Sequence, residues 1–227
     1  MTSTPVLSFG VIFDMDGVLV DSNALHLQAF QALGAQLRVP FSEELLKRTV
    51  GMHNNQILPL WLGERAGPLS AARIQTLAEE KEELYRAMAA TQLQPIPGVL
   101  DFVARLEAAG VPLAVGSSGP RENVELALTR LGLKGRMKSV ITGSDISHGK
   151  PHPEVFLKAV AGLGIPALRC VVIEDATVGV QAALAAGCQA VAITTSRSRE
   201  ALVEAGAHLV VDGYHEIEGL ESLLAAR

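Results

Sequence analysis

Six short apolar runs, each leading toward a segment of helical period, set the frame within which this chain can fold. They lie at 11–14 (VIFD), 111–118 (VPLAVGSS), 138–142 (KSVIT), 170–175 (CVVIED), 189–194 (QAVAIT) and 208–211 (HLVV). Their apolarity is continuous rather than alternating, which predicts strands buried on both faces and hence a parallel sheet. Helix-like stretches at 97–109, 120–132, 153–163, 177–186 and 198–205 supply the crossovers, so a doubly wound α/β sheet is expected.

The interval 20–93 breaks this rhythm. It contains no convincing strand, while ALHLQAFQALGAQL and SAARIQTLAEEKEELYRAMAAT are helical in period. One crossover helix does not need that length, so an inserted helical unit is expected, with the two prolines of QPIPG (94–98) marking the return. A chain of 227 residues is long enough for such a core with a smaller insertion. Net charge −5 leaves no basic footprint, which argues against nucleic acid or an anionic membrane as partner. No run approaches the ~20 apolar residues of a membrane helix. Residues 1–10 lack the basic start and apolar stretch of a signal peptide. Cys170 and Cys188 read as buried free thiols. The expected location is cytoplasmic, and the expected assembly a monomer or weak homodimer.

In an open parallel sheet, ligands bind beyond the carboxyl ends of the strands, so the strand exits carry the functional information. The first exit presents Asp14 and Asp16, then Gly17 where the chain must turn. Two carboxylates leaving an apolar strand need a partner outside the core: a cation, a reacting group or a helix N-terminus. A hard cation such as Mg²⁺ suits them; a turn or cap pair is the plainer reading. The second exit, GSSG, offers Ser117, Ser118 and Gly119 as a phosphate cradle or as an ordinary serine cap. The third, GSDISHGKPHPE, holds Lys150 between glycine and proline, either fixed to neutralise a phosphoryl group or simply an exposed lysine. The fourth ends in Glu174 and Asp175, a second acidic pair that supplies further oxygen ligands, with an N-cap role for Asp175 compatible with it. Each signal alone is weak; their order, each after a strand, is specific.

DMDGVLVDS, VGSSG, GKPHPE and VIEDATVGVQAALAAG together resemble the four motifs of the haloacid dehalogenase superfamily, in particular its β-phosphoglucomutase and sugar-phosphatase group. The resemblance spans essentially the whole chain. It implies an α/β fold: a doubly wound Rossmann-like parallel sheet core (1–19 and 94–227) with an inserted α-helical cap domain (20–93). It also implies Asp14 as nucleophile forming an aspartyl-phosphate, and Asp16 as general acid and then base. Ser117 and Lys150 would hold the phosphoryl oxygens. Mg²⁺ would be held by Asp14, the backbone carbonyl of Asp16, and Asp175, with Glu174 contributing directly or through water. An acid at position 16 points to phosphate esters, because the matching residue is aromatic in dehalogenases and small in phosphonatases. Lys47 and Lys81 do not by themselves make a phosphonatase Schiff-base site.

Within that group the resemblance sets His26 and Lys81 beside cap residues of β-phosphoglucomutases. Their plainer readings are a helix-boundary histidine and a solvated lysine on an acidic helix. Asn54 stands about where those mutases carry a phosphate-binding arginine, and Gly119, Pro120 and Arg121 replace a Ser-Lys pair, although Arg121 offers one substitute cation. The expected function is therefore a Mg²⁺-dependent phosphatase of a small phosphorylated sugar or related metabolite. A phosphosugar mutase and a non-catalytic phosphometabolite sensor are the rivals. The cap is expected to close over the substrate and set selectivity through 51–61, which opens with the cap loop GMHNNQ (51–56), with Gly51, His53, Asn54 and Asn55 near the substrate. Asparagines that merely cap a helix are the alternative, and Trp61 is expected in the cap core.

Overall fold

The computed structural model describes residues 9–66 and 69–220. The signal-peptide reading of 1–10 therefore falls almost wholly outside the described residues. Among those described, six strands form one sheet: β1 (Gly10–Phe13), β4 (Leu113–Gly116), β5 (Ser139–Ile141), β6 (Cys170–Glu174), β7 (Gln189–Ile193) and β8 (Leu209–Val211). Their order is β5-β4-β1-β6-β7-β8, and every pairing is parallel. After β1 the chain builds outward on one side through β4 and β5, then crosses to build the other side. The reversal places the crevice at the carboxyl end of β1.

Both faces of this sheet are covered, which explains the unbroken apolar runs. Val11 and Phe13 point into a cluster with Val99, Phe102 and Val124 from α5 (Val99–Ala108) and α6 (Arg121–Arg130). Ile12 points the other way, into a cluster with Phe156, Ala159 and Val180 from α7 (Glu154–Leu163) and α8 (Thr177–Ala185). A further helix, α9 (Arg199–Glu204), follows β7. Cys170 and Cys188 are buried free thiols, as expected.

Between β1 and β4 lie α1 (Asn23–Leu37), α2 (Glu43–Thr49), α3 (Asn54–Ala66) and α4 (Ala71–Gln92). These helices enclose their own apolar cluster, in which Trp61 meets Phe30 and Phe41 edge to face and donates its indole N–H to Pro40 O. Trp61 is thus a core residue, as expected. Two features differ from expectation. The cap loop expected at 51–56 is helical from Asn54 onward, since α3 starts there. The entry and exit of the helical unit are also stitched together by a two-residue ladder, β2 (Val20–Asp21) against β3 (Gln94–Pro95). Pairs this short lack any periodicity to read in sequence; they exist because the two connections run side by side.

Candidate active site

The first exit is a tight turn. The amides of Val18, Leu19 and Val20 all donate to Met15 O, and Gly17 N donates to Val20 O. Gly17 sits at φ 74°, and a Cβ there would run into the Asp175 carboxylate. The chain can thus present Asp14 and Asp16 beside the fourth exit only with glycine at this position. Asp14 is almost fully buried, while Asp16 remains partly open to the cleft.

Lys150 is completely buried, so the surface-lysine reading is overturned. Its Nζ donates to Asp14 Oδ1 at 2.7 Å and Glu174 Oε1 at 2.6 Å. Burial alone would lower its pKa, yet these two carboxylates raise it above the ordinary lysine range. Glu174 Oε2 accepts the amides of Asp175 and Ala176, and a Cβ on Gly179 of α8 would occupy the space its carboxylate fills. The plainer reading of Asp175 as an N-cap does not hold: Ala176 precedes α8, and the Asp175 carboxylate instead accepts hydroxyls from Thr195 (3.2 Å) and Ser196.

Three buried carboxylates, Asp14, Glu174 and Asp175, thus face one ammonium. Their oxygens lie within 4.8 Å of one another. The strain of that excess shows in protonation: burial, with Glu174 and Asp16 against the pull of Lys150, pushes Asp14 up to about 7. Burial, Glu174 and Asp14 likewise hold Asp175 well above the carboxylate range. An all-oxygen, net-negative donor set in which lysine cannot balance the charge fits a hard divalent cation, and the residues present suit Mg²⁺.

Asp16 belongs to a different network. Its Oδ1 accepts from Ser22 Oγ (2.5 Å) and lies 3.1 Å from His26 Nε2. Burial works to raise Asp16, but His26, Ser22 and Lys81 bring it down to about 2. Behind it, Lys81 Nζ is 2.7 Å from His26 Nδ1 and 2.9 Å from Glu82 Oε1. An ammonium has only protons to give, which puts the ring proton on Nε2, facing Asp16. The imidazole stacks on Tyr85 at 4.1 Å between ring centroids. Lys81 is therefore buried rather than solvated, and His26 is a hydrogen-bonded link rather than a boundary residue.

Glu82 also receives Asn54 Nδ2 (2.7 Å) and, from α6 below, Asn123 Nδ2 (2.6 Å). Asn54 thus engages a glutamate, while His53 Nδ1 accepts the Asn55 amide at the start of α3, so the capping that was the alternative reading of the asparagines is done by His53. Ser118 Oγ donates to Gly51 O at 3.2 Å, and Gly51, at φ 83°, packs on Ala176 and Val178. Gly119 N donates to the buried Ser117 Oγ at 3.0 Å. Arg121 does not turn toward this site: its guanidinium pairs with Asp145 after β5. Ser22, Thr195, Ser196, Glu82 and Asn123 escaped the sequence reading. The hydroxyl-rich TTSRS following the fifth apolar run is a visible signal for Thr195 and Ser196; the others carry none.

Between the strand exits and the helical unit opens a cleft of about 1300 Å³, lined by Asp14, Asp16, His26, Gly51, Asn54, Lys81, Ser118, Gly119 and Lys150. The haloacid dehalogenase-like hydrolase family model matches residues 11–193. The chain is 31% identical over 201 residues to validoxylamine A 7'-phosphate phosphatase of Streptomyces hygroscopicus subsp. limoneus, covering 86% of this chain and 89% of that protein. It is 29% identical over 217 residues to a phosphorylated carbohydrates phosphatase of Thermotoga maritima, covering 94% and 99%. The structure of β-phosphoglucomutase from Clostridium difficile superposes with a TM-score of 0.85 over 96% of this chain and 97% of that one. At 23% identity this last likeness speaks for the fold alone. Motifs, sheet order and family match converge: the chain belongs to the haloacid dehalogenase-like hydrolase family.

Proposed function

We propose that this protein is a Mg²⁺-dependent phosphatase of a small phosphorylated sugar or related metabolite, acting through an aspartyl-phosphate on Asp14. The observation that carries the reading is the buried cluster of Asp14, Lys150, Glu174 and Asp175 at the floor of a polar cleft, with Asp16 beside it. Asp14, Asp175, the Asp16 carbonyl and, directly or through water, Glu174 would hold the cation. When bound, the ion offsets repulsion between the nucleophile and an anionic substrate and neutralises charge during transfer.

Lys150 holds Asp14 Oδ1 in place, leaving the other carboxylate oxygen to form the bond to phosphorus. Ser117 and Lys150 grip the phosphoryl oxygens. Asp16, ionised in this network, first takes up a proton from solvent as the anionic substrate binds; it gives that proton to the departing alkoxide, then takes one from the water that cleaves the acyl phosphate, and His26 keeps its carboxylate oriented. The helices of 20–93 act as a cap domain over the core of 1–19 and 94–227, closing the cleft against water. Two unpaired thiols suit a cytoplasmic setting, and among the described residues no helix is long and apolar enough to cross a membrane.

Phosphatase is preferred to mutase because a mutase must hold a bisphosphate at both ends. Here Asn54 is engaged by Glu82 and Arg121 by Asp145, so neither is offered to a second phosphate. Glu79, Glu82 and Glu83 add negative charge to the helical wall. The relatives named as phosphatases of phosphorylated sugars support the same choice. The test is phosphate release from a panel of sugar phosphates with Mg²⁺, including β-glucose 1-phosphate with and without glucose 1,6-bisphosphate. Steady release that D14N lowers by about 10³-fold or more is expected. Bisphosphate-primed isomerisation with little free phosphate would establish the mutase instead. Tight ligand binding without turnover would establish the sensor.

A further inference from the structure

The segment that carries Lys150 into the buried cluster presents a second set of ligand atoms on the rim of the cleft. His148 and His152 stand two residues to either side of Lys150, and Glu154 begins α7. One ligand atom from each of the three lies within 4.8 Å of the other two. His148 Nδ1 is 3.2 Å from Glu154 Oε2, and the two imidazole centroids are 4.6 Å apart. Neighbouring ligands around a tetrahedral ion with bonds of about 2.0–2.1 Å stand roughly 3.3–3.4 Å apart. The His148–Glu154 spacing is thus already close to that of two ligands on one ion.

The carboxylate of this set is held before any ion arrives. Glu154 accepts the Ser147 amide at 3.1 Å on both oxygens and the His148 amide at 2.9 Å, and Lys158 Nζ reaches Oε1 at 2.7 Å. His152 is anchored too, its Nδ1 accepting the Glu154 amide at 3.3 Å. Both imidazoles are exposed, so an ion can enter without a conformational opening and with little desolvation of the ligands.

We propose that His148, His152 and Glu154 form a second metal site, selective for a borderline transition ion of the Zn²⁺ class. Two imidazoles and one carboxylate match the ligand preference of Zn²⁺, Co²⁺ or Ni²⁺, whereas the three carboxylates of the buried cluster match Mg²⁺. The two sites are therefore separable by metal chemistry. An ion there joins His148 to Glu154 where a hydrogen bond now does, with water completing its shell. It also ties together the two ends of the segment on which Lys150 is mounted.

The test is calorimetric titration of the full, tag-free protein with Zn²⁺ in saturating Mg²⁺. One Zn²⁺ per chain is expected, with affinity falling at least tenfold in H148A/H152A and persisting in D175N. Absence of Zn²⁺ binding in the wild type, or unchanged affinity in H148A/H152A, overturns the proposal. Loss of Zn²⁺ binding in D175N with retention in H148A/H152A overturns it as well, by assigning the ion to the buried cluster. Circular dichroism establishes that the variants fold, and the single variant H148A, at an exposed position, takes over should the double variant not.

Discussion

Gly17 shows how one residue without a side chain can decide where three carboxylates stand. Its positive φ and its contact with the Asp175 carboxylate both exclude a Cβ. G17A should therefore cost roughly 1–2 kcal/mol for the left-handed backbone alone, and displace Asp175 besides. The expected outcome is a lower melting midpoint together with weaker Mg²⁺ binding by titration; wild-type values for both would show that this turn does not position Asp175. The acidic residues themselves were legible from their places at strand exits. Lys150 was legible as a residue of interest, but its complete burial was not, because lysine is ordinarily a surface residue and its two partners lie 136 and 24 positions away.

At the scale of an element, α4 carries the least expected chemistry. Its helical period was plain in the sequence, and Lys81 was expected near the substrate with a solvated lysine as the plainer alternative, but nothing local marked Glu82 as its buried partner. Packing of α1 against α4 and of α4 over α6 buries the face bearing both, and its charges then pair with each other, with His26 and with Asn123. Burial would raise Glu82, but Lys81, His26 and Asn54 draw it down to about 2, below its usual 4.5. Above about 4.5 the group is ionised in both folded and unfolded chains and its stabilisation is complete. As the pH falls toward about 2, the unfolded chain takes up the proton first and that stabilisation is lost. E82Q, which breaks a buried pair, should cost about 3 kcal/mol near neutrality, and its deficit relative to wild type should shrink as denaturation is followed from pH 5 toward pH 2. A deficit that stays constant over this window would mean the carboxylate charge is not what holds α4 to α6.

For the whole molecule, the excess of buried negative charge makes stability depend on the cation. Mg²⁺ at about 100 times its dissociation constant should add about 2.7 kcal/mol to unfolding, seen as a raised midpoint that a chelator reverses. D175N removes one of the mutually repelling carboxylates, so without Mg²⁺ it should melt above the metal-free wild type, and Mg²⁺ should then move it little. A wild-type midpoint indifferent to Mg²⁺ would remove the cation from the cluster. The parallel sheet, its order of motifs and the helical insertion were determined by sequence alone, because continuous apolar strands and strand-exit residues are local patterns. The β2–β3 ladder, the hydroxyls of Thr195 and Ser196 around the Asp175 carboxylate, and the redirection of Arg121 to Asp145 were decided only by tertiary structure. A hydrogen bond between residues tens of positions apart depends on which chain segments the folded sheet and its connections bring together, and no local pattern records that meeting.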